Sequence, residues 1–302
     1  MKSSASNPKL THSRLTRFTP LRYPGGKGKL ATFVKDLLEV NDLVDGEYVE
    51  PYAGGAAVAL ELLFHGYVSH IHINDISRPV YSFWNAVLKD TERFVRKVRN
   101  VSLTVNNWDR QKKIFSNPDD YDDLKLGFAF FFLNRTNRSG ILNGGIIGGR
   151  DQSGPWKIDA RFNTPDLIKR IESIASLSSR ISLTCDDAKE FLRFCVRELP
   201  ENSLIYLDPP YYAKGKDLYY DFYQHKDHVE IANFVKNRIR RQKWIVSYDN
   251  AEEIWAMYNG CNNMTYQLNY SARDARTGTE VMFFCDGLEI PPPSGAIRKR
   301  VA

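Results

Sequence analysis

Apolar and polar positions alternate over the first eighty residues in the order typical of a βαβ unit. Residues 48–50 predict the end of a strand, and a small-residue turn at residues 53–56 leads into an apolar helix that stops at Gly66. Residues 68–73 alternate like a second strand, which ends at Asn74-Asp75. Strand, glycine turn, helix, strand and acid in this order predict one unit of an open α/β sheet.

The same α/β pattern returns after Asn163-Thr164-Pro165. Periodicity predicts helices at residues 166–176, 188–199 and 227–241, and strands at residues 180–185, 203–207 and 244–247. Two further strand-like runs, at residues 264–270 and 279–285, flank the basic turn SARDARTG. We therefore expect a Rossmann-like sheet built from two separated parts of the chain.

Between these parts the pattern changes. Ser77 and Pro79 mark a helix start, and the chain to about residue 121 is rich in helix formers and charges. Residues 124–134 predict a very apolar helix, and the glycine-rich segment 134–156 predicts a long functional loop or hairpin. The predicted domains are a polar tail (1–17), a catalytic α/β domain (18–77 and 164–288), an inserted helical and loop recognition domain (78–163) and a second polar tail (289–302).

Composition excludes several classes of protein. The 302 residues are 42% hydrophobic and 26% charged, which is ordinary for a globular chain and excludes disordered, collagenous and coiled-coil proteins. The longest dense apolar run, residues 128–133, is far shorter than the roughly 20 residues of a membrane span. The polar N-terminus does not predict a secretory signal.

Charge and cysteine content narrow the picture further. The 42 Lys and Arg against 36 Asp and Glu give a net charge of +6, which suits a polyanionic partner and also fits many other enzymes. The 4 cysteines form no C-x-x-C pair, and the histidines lack metal-ligand spacing. We expect no zinc site, no disulfide framework and a cytoplasmic location.

The sharpest chemical signal is Asp208-Pro209-Pro210-Tyr211, directly after the apolar strand at residues 203–207. Ligands of open α/β sheets bind beyond the carboxyl ends of the strands, so this segment is predicted to lie in the ligand crevice. A carboxylate and the Pro209 carbonyl are both acceptors, which complements an exocyclic amine with two N–H donors. Tyr211 is placed to stack on the ring that carries the amine. The alternative is a plain turn that ends a strand.

This tetrapeptide does not stand alone. Together with Tyr23-Pro24-Gly25-Gly26-Lys27 and Glu50-Pro51-Tyr52-Ala53-Gly54-Gly55, in this order, it resembles the Dam-type (D12 class) DNA N6-adenine methyltransferases. The resemblance covers residues 21 to 284. It implies a Rossmann-like fold, transfer of a methyl group from S-adenosylmethionine to N6 of adenine in double-stranded DNA, and a catalytic role for Asp208, Pro209, Pro210 and Tyr211.

The resemblance also implies a set of cofactor-binding residues. These are Tyr23, Gly26, Lys27, Glu50, Pro51, Ala53, Gly54, Gly55, Asp75, Asp187 and Asp208. Spacing supports Asp75 independently, because an acid about twenty residues beyond a glycine turn takes ribose hydroxyls in dinucleotide-binding folds. The chain has Ala56 where the family commonly has another glycine, so we expect a slightly different turn. For Asp187 the alternative is a capping box with Glu190, and for Lys27 it is a solvated surface charge.

Two basic segments are candidate DNA contacts. In the insertion, Arg135, Asn137 and Arg138 carry the guanidinium and amide groups that read guanine and adenine edges. In the last turn, Arg273 and Arg276 resemble the segment with which the family contacts phosphates. Both segments also fit ordinary solvated loops.

The predicted reaction is direct in-line transfer to a base that has left the DNA helix, without metal or covalent intermediate. Alternatives are an RNA or protein-glutamine amino-group methyltransferase and a catalytically silent DNA-binding relative. The predicted partners are double-stranded DNA and a cognate restriction endonuclease, with no membrane and with a monomer or weak dimer as the assembly.

Overall fold

A mixed sheet forms the centre of the computed structural model, which describes residues 17–22, 27–212, 223–270, 276–295 and 298–299. Its strands are β1 (Glu47–Glu50), β2 (His70–Asn74), β3 (Ile181–Thr184), β4 (Leu204–Leu207), β5 (Lys243–Asp249), β6 (Asn262–Tyr270), β7 (Arg276–Phe284) and the short edge strand β8 (Arg298–Lys299). Their order across the sheet is β3-β2-β1-β4-β5-β7-β6-β8. The predicted Rossmann-like α/β fold is confirmed.

The direction of the strands creates the crevice. Strands β1 to β5 run parallel, with Tyr48 of β1 opposite both Ile71 of β2 and Leu204 of β4. From β1 the chain proceeds outward to β2 and β3, whereas β4 leads the other way to β5. Because the order reverses between β1 and β4, a ligand crevice is expected beyond the carboxyl ends of these two strands. Strands β6 and β7 pair antiparallel, and β7 pairs antiparallel with β5.

The helices of the described residues cover the sheet and build the insertion. They are α1 (Ala31–Val40), α2 (Ala57–Phe64), α3 (Arg78–Lys89), α4 (Thr91–Asn100), α5 (Val105–Phe115), α6 (Asp123–Thr136), α7 (Thr164–Ala175), α8 (Ala188–Glu198), α9 (His225–Arg238) and α10 (Glu252–Met257). Short 3₁₀ turns lie at Lys27–Leu30, Pro118–Asp120, Arg138–Gly140 and Ser178–Arg180. The helical stretch predicted from residue 77 to residue 121 is thus three helices.

Single residues mark the boundaries between these three helices. Asp90, at φ −135°, ends α3 and begins α4. Thr104 begins α5, since its side chain accepts a hydrogen bond from the backbone N–H of Asn107 at 3.2 Å. The segment after α6 forms the predicted irregular loop, with one 3₁₀ turn and a bridge between Asn137 and Ile146.

The insertion shares its core with the sheet. In the insertion, Phe83 of α3 stacks on Phe131 of α6 with ring centroids 5.7 Å apart, within one hydrophobic cluster that also contains the strands. Trp84 of α3 donates from Nε1 to the carbonyl of Gly54 at 2.9 Å, in the turn after β1. The domain limits at residues 77/78 and 163/164 stay a prediction.

The described residues include neither a membrane-spanning helix nor a cluster of metal-binding side chains. None of their helices is long and apolar enough to cross a bilayer. Within the same ranges, no three His, Cys, Asp or Glu side chains are grouped so that they could hold a metal ion.

Candidate active site

Asp208 follows β4 at the crevice, and its two carboxylate oxygens have different surroundings. Oδ1 lies 3.0 Å from Nζ of Lys27 and accepts a hydrogen bond from the Ser247 hydroxyl at 2.7 Å. Oδ2 accepts no hydrogen bond from the described residues, and neither does the carbonyl of Pro209. The Asp208 side chain is 24% exposed. With respect to the described residues, the turn therefore keeps one oriented carboxylate oxygen and one backbone carbonyl as open acceptors.

Lys27 lies between two carboxylates. Its Nζ is 3.0 Å from Oδ1 of Asp208 and 2.8 Å from Oε2 of Glu280, and its side chain is 14% exposed. Burial alone would lower the pKa of Lys27, but Asp208 and Glu280 outweigh burial and hold that pKa well above its usual value. The alternative of a solvated surface charge is wrong, because the ammonium is part of the crevice wall.

Glu280 is an acid that the sequence analysis did not single out. It is 1% exposed on β7, its Oε1 accepts from the Tyr211 hydroxyl at 2.8 Å, and its Oε2 accepts from the Tyr266 hydroxyl at 2.7 Å. An available signal was a lone acid within the apolar run predicted as the last strand. Glu280 thus connects three residues that the sequence analysis did single out, Asp208, Tyr211 and Lys27. It lies 72 positions further along the chain than Asp208.

The turn after β1 is bonded to the end of β2. Gly54, at φ 45°, donates its backbone N–H to Oδ2 of Asp75 at 2.9 Å, and Ser77 donates its backbone N–H to Oδ1 at 3.0 Å. Ala56 also takes a left-handed conformation, at φ 45° and ψ 37°, where it begins α2. This alanine therefore adopts a backbone conformation that glycine takes without strain.

Asn74 connects three turns of this edge, which the sequence analysis did not foresee. Its fully buried amide donates to the carbonyls of Pro51 at 3.1 Å and Asp186 at 3.0 Å. Its Oδ1 accepts from the Thr184 hydroxyl at 2.7 Å and from the Asp186 N–H at 2.9 Å. The amide thereby aligns the turns that follow β1, β2 and β3, and Ala53 adds a backbone bond to the Asn74 carbonyl at 2.9 Å.

Glu50 is buried beneath the same turn. Its Oε1 accepts from the backbone N–H of Ala59 at 3.0 Å and from the Tyr48 hydroxyl at 3.2 Å. Burial raises the pKa of Glu50, and these two hydrogen bonds offset part of that rise. The resulting pKa is about 8. The side chain supports the start of α2 at 6% exposure, one layer below the crevice surface.

Asp187 begins α8, where its side chain accepts from the backbone N–H of Lys189 at 2.9 Å. It is exposed, at the same edge of the sheet as Asp75. Asp187 therefore makes the N-cap hydrogen bond that the capping-box alternative requires. The reciprocal bond of a capping box is not formed, since the Glu190 side chain pairs with Arg193.

Comparison with known proteins identifies the family of this chain. The family model described as D12 class N6 adenine-specific DNA methyltransferase matches residues 23–272. The chain belongs to this family. It is thus a DNA adenine-N6 methyltransferase, and the predicted class of enzyme is confirmed.

Individual relatives of this D12-class chain are distant but similar in length. It is 23% identical over 267 residues to the type II methyltransferase M.MjaIII of Methanocaldococcus jannaschii, covering 80% of this chain and 88% of that protein. It is 22% identical to the type II methyltransferase M.CviBI of Paramecium bursaria Chlorella virus NC1A, covering 86% and 95%. It is also 22% identical to the retron Ec67 DNA adenine methylase of Escherichia coli, covering 87% and 90%.

The candidate base-reading residues of this D12-class methyltransferase differ in their surroundings. Asn137 is fully buried: its Oδ1 accepts from Nε1 of Trp108 at 2.7 Å, and its Nδ2 donates to the carbonyls of Ile141 at 2.9 Å and Leu142 at 3.0 Å. Its amide is therefore bonded inside the protein, to α5 and to the loop itself. Arg138 is exposed, and its guanidinium makes no bond with the described residues.

Arg135 faces the segment that precedes the Tyr23 block. Its guanidinium donates to the carbonyl of Pro20 at 3.3 Å and to that of Arg161. Burial, together with the nearby charges of Arg22 and Arg170, lowers the pKa of Arg135 to about 9. Asn134 adds two bonds to the backbone of Arg22, at 2.8 and 2.7 Å. The end of α6 thus anchors the chain just before the Tyr23-Pro24-Gly25-Gly26-Lys27 block.

Several predicted site residues lie outside the described residues. Tyr23 and Gly26 are among these, as is Arg273, and for Arg276 only the backbone, in β7, is described. Their assigned roles stay predictions.

Proposed function

We propose that this methyltransferase uses S-adenosylmethionine and methylates an adenine that has been flipped out of double-stranded DNA into the crevice beside Asp208. The observation that carries the proposal is the pair of open acceptors, Oδ2 of Asp208 and the Pro209 carbonyl. An exocyclic amine has two N–H donors, so these acceptors match it in number and kind.

The fit of the cofactor rests on the turn after β1. Asp75 accepts from the backbone N–H groups of Gly54 and Ser77, which fix a carboxylate at the end of β2, where acids of dinucleotide-binding folds take ribose hydroxyls. Ile76, the next residue, is a large apolar side chain that is 51% exposed, which suits packing against a planar base. When bound, S-adenosylmethionine supplies an electrophilic methyl group on a sulfonium.

The protein's own contribution is orientation and proton handling. Oδ2 of Asp208 and the carbonyl of Pro209 accept the two N6–H bonds, which raises electron density on N6 and fixes its direction of attack. Once N6 carries the methyl group it must lose one proton, and Oδ2 is the adjacent acceptor. Tyr211 stacks on the adenine ring and offsets part of the few kcal/mol that flipping costs.

The proposal also covers DNA sequence specificity and binding partners. Arg138 is the loop residue best placed to contact a base edge, and the +6 charge of the chain suits binding to DNA phosphates. A cognate restriction endonuclease and a monomeric or weakly dimeric state stay predictions. Membership of the D12 class decides for DNA over the RNA and protein-glutamine alternatives.

Asp208→Ala tests the central step. We expect at least about 10²-fold loss of methyl transfer, because one preorganised group that acts on the reacting amine is removed. DNA affinity should persist, since phosphate contacts dominate it. A labelled-methyl assay and fluorescence anisotropy on the same DNA duplex measure the two quantities. Wild-type turnover in the alanine variant would contradict the proposed role of the tetrapeptide.

A further inference from the structure

A buried acid on β7 joins both halves of the Asp-Pro-Pro-Tyr turn, although it touches neither acceptor. Glu280 binds Tyr211 through Oε1 at 2.8 Å and Lys27 through Oε2 at 2.8 Å, and Lys27 in turn binds Oδ1 of Asp208 at 3.0 Å. One carboxylate thus fixes the stacking ring and the cation that orients the catalytic carboxylate. We propose that Glu280 is a positioning residue for methyl transfer, which it controls through Tyr211 and Lys27.

The position of Glu280 in the sheet supports this role. On β7 it lies opposite Asp249 of β5 and Tyr266 of β6. Its third partner is the Tyr266 hydroxyl, at 2.7 Å. Three donors among the described residues therefore converge on a side chain that is 1% exposed, so the carboxylate can neither rotate away nor exchange its partners for water.

An ordinary structural role would not require a charge at this place. A buried carboxylate is costly unless it is paired, and an apolar residue between neighbouring strands would pack the sheet without that cost. Glu280 instead places a second negative charge beside Lys27, whose ammonium is already paired with Asp208. The three groups carry a net charge of −1, so Glu280 reduces the extent to which Lys27 neutralises Asp208.

This charge balance gives a pH signature. Burial raises the pKa of Asp208, Lys27 lowers it, and Glu280 raises it again. Asp208 must be ionised to accept from the amine, so its pKa sets the acid limb of the rate profile. The groups that act on Asp208 electrostatically come from each neighbouring element: Lys27, Tyr48 and Glu50 of β1, Tyr206 of β4, Tyr248 of β5 and Glu280 of β7. Removal of the Glu280 charge should therefore move the acid limb to lower pH.

Glu280→Gln is the direct test, and it rests on the proposed role of Asp208. The glutamine keeps the shape of the side chain but offers only one acceptor oxygen, so either Tyr211 or Lys27 loses the acceptor to which it donates. We expect about 10²-fold slower single-turnover methyl transfer, the loss typical of a misplaced reacting group, with unchanged DNA and S-adenosylmethionine affinity. The acid limb should move to lower pH.

Two further variants separate charge from hydrogen bonding. Tyr266→Phe removes one hydrogen bond to the same carboxylate and keeps its charge, so the acid limb should stay in place. Glu280→Asp keeps the charge on a shorter side chain and should recover part of the rate with the wild-type acid limb. Should the glutamine variant not fold, Tyr211→Phe removes the same hydrogen bond from the other side, and a full rate there would overturn the inference.

The outcomes are distinguishable from a failure of the proposed function. An active Asp208→Ala variant contradicts the proposed function itself. An inactive Asp208→Ala beside a fully active Glu280→Gln with the wild-type pH profile overturns only the positioning role. Loss of transfer together with loss of cofactor and DNA binding in Glu280→Gln would show a structural role, and so would a shifted acid limb in Tyr266→Phe.

Discussion

At the scale of single residues, neighbours in one motif have opposite roles. Asn137 and Arg138 are adjacent in the polar run after α6, and both carry groups that read base edges. The structure buries the amide of Asn137 among Trp108, Ile141 and Leu142 and leaves the guanidinium of Arg138 exposed. Composition cannot separate these roles, because either side chain is equally polar.

The pair provides a matched prediction. Asn137→Ala should lower the free energy of unfolding by about 2–3 kcal/mol, because the buried Nε1 of Trp108 and two carbonyls lose their partner. Arg138→Ala should leave stability within about 0.5 kcal/mol, as is usual at exposed positions. Urea unfolding measures both. Site-preference profiling on a randomised DNA library should then show relaxed preference at one position for Arg138→Ala, and an unaltered preference would move base reading elsewhere.

At the scale of elements, a close approach of two helices fixes the insertion to the sheet. A methyl group added to Gly127 of α6 would lie 2.4 Å from the carbonyl oxygen of Ser82 and 2.6 Å from the backbone nitrogen of Phe83 in α3. The two backbones are therefore in direct contact. Because α3 also binds the Gly54 turn through Trp84, the position of α6 is coupled to the crevice.

Gly127→Ala should accordingly destabilise the protein by about 1–3 kcal/mol or more through overpacking. Gly145 is the matched control, since a methyl group there would meet nothing within 4 Å. Thermal unfolding of Gly127→Ala and Gly145→Ala under one set of conditions compares them. Equal melting temperatures would show that α3 and α6 can move apart without cost.

At the scale of the whole molecule, the reversal of strand order between β1 and β4 brings the motifs together. The turns at residues 51–55 and 208–211 follow these adjacent parallel strands, and Asp75 follows the next one. The cofactor and the target base are thus expected along one edge, with β7 supplying Glu280 from the antiparallel side.

Binding of S-adenosylmethionine should therefore stabilise the whole fold. At a concentration 100 times its Kd, the cofactor adds about 2.7 kcal/mol to the free energy of unfolding. Differential scanning fluorimetry should show this shift without added metal, and Asp75→Ala should reduce it relative to its own ligand-free melting temperature. Asp119→Ala is the control, because that side chain is 95% exposed and, among the described residues, pairs with Arg78 alone. A shift with ATP and none with S-adenosylmethionine would contradict the cofactor assignment.

The sequence by itself determined the order of the elements and the chemical class of the site. Local periodicity and capping decide where strands such as β4 and helices such as α8 form, and these preferences act within a few residues. The Asp208 tetrapeptide carries its acceptors in its own backbone and side chain, so its chemistry could be predicted without knowledge of the residues around it. The same holds for the glycine turn and Asp75, which one βαβ unit places together.

Only the tertiary structure decided which polar residues are buried and hydrogen-bonded inside the protein. Glu280, Asn74 and Asn137 find their roles through partners 69, 112 and 29 positions away in the chain, at Tyr211, Asp186 and Trp108. The free energy of burying a carboxylate or an amide depends on whether donors and acceptors surround it, and the packing of distant segments alone supplies them. For this reason the sequence predicted the reaction, while the buried network that orients its groups emerged from the fold.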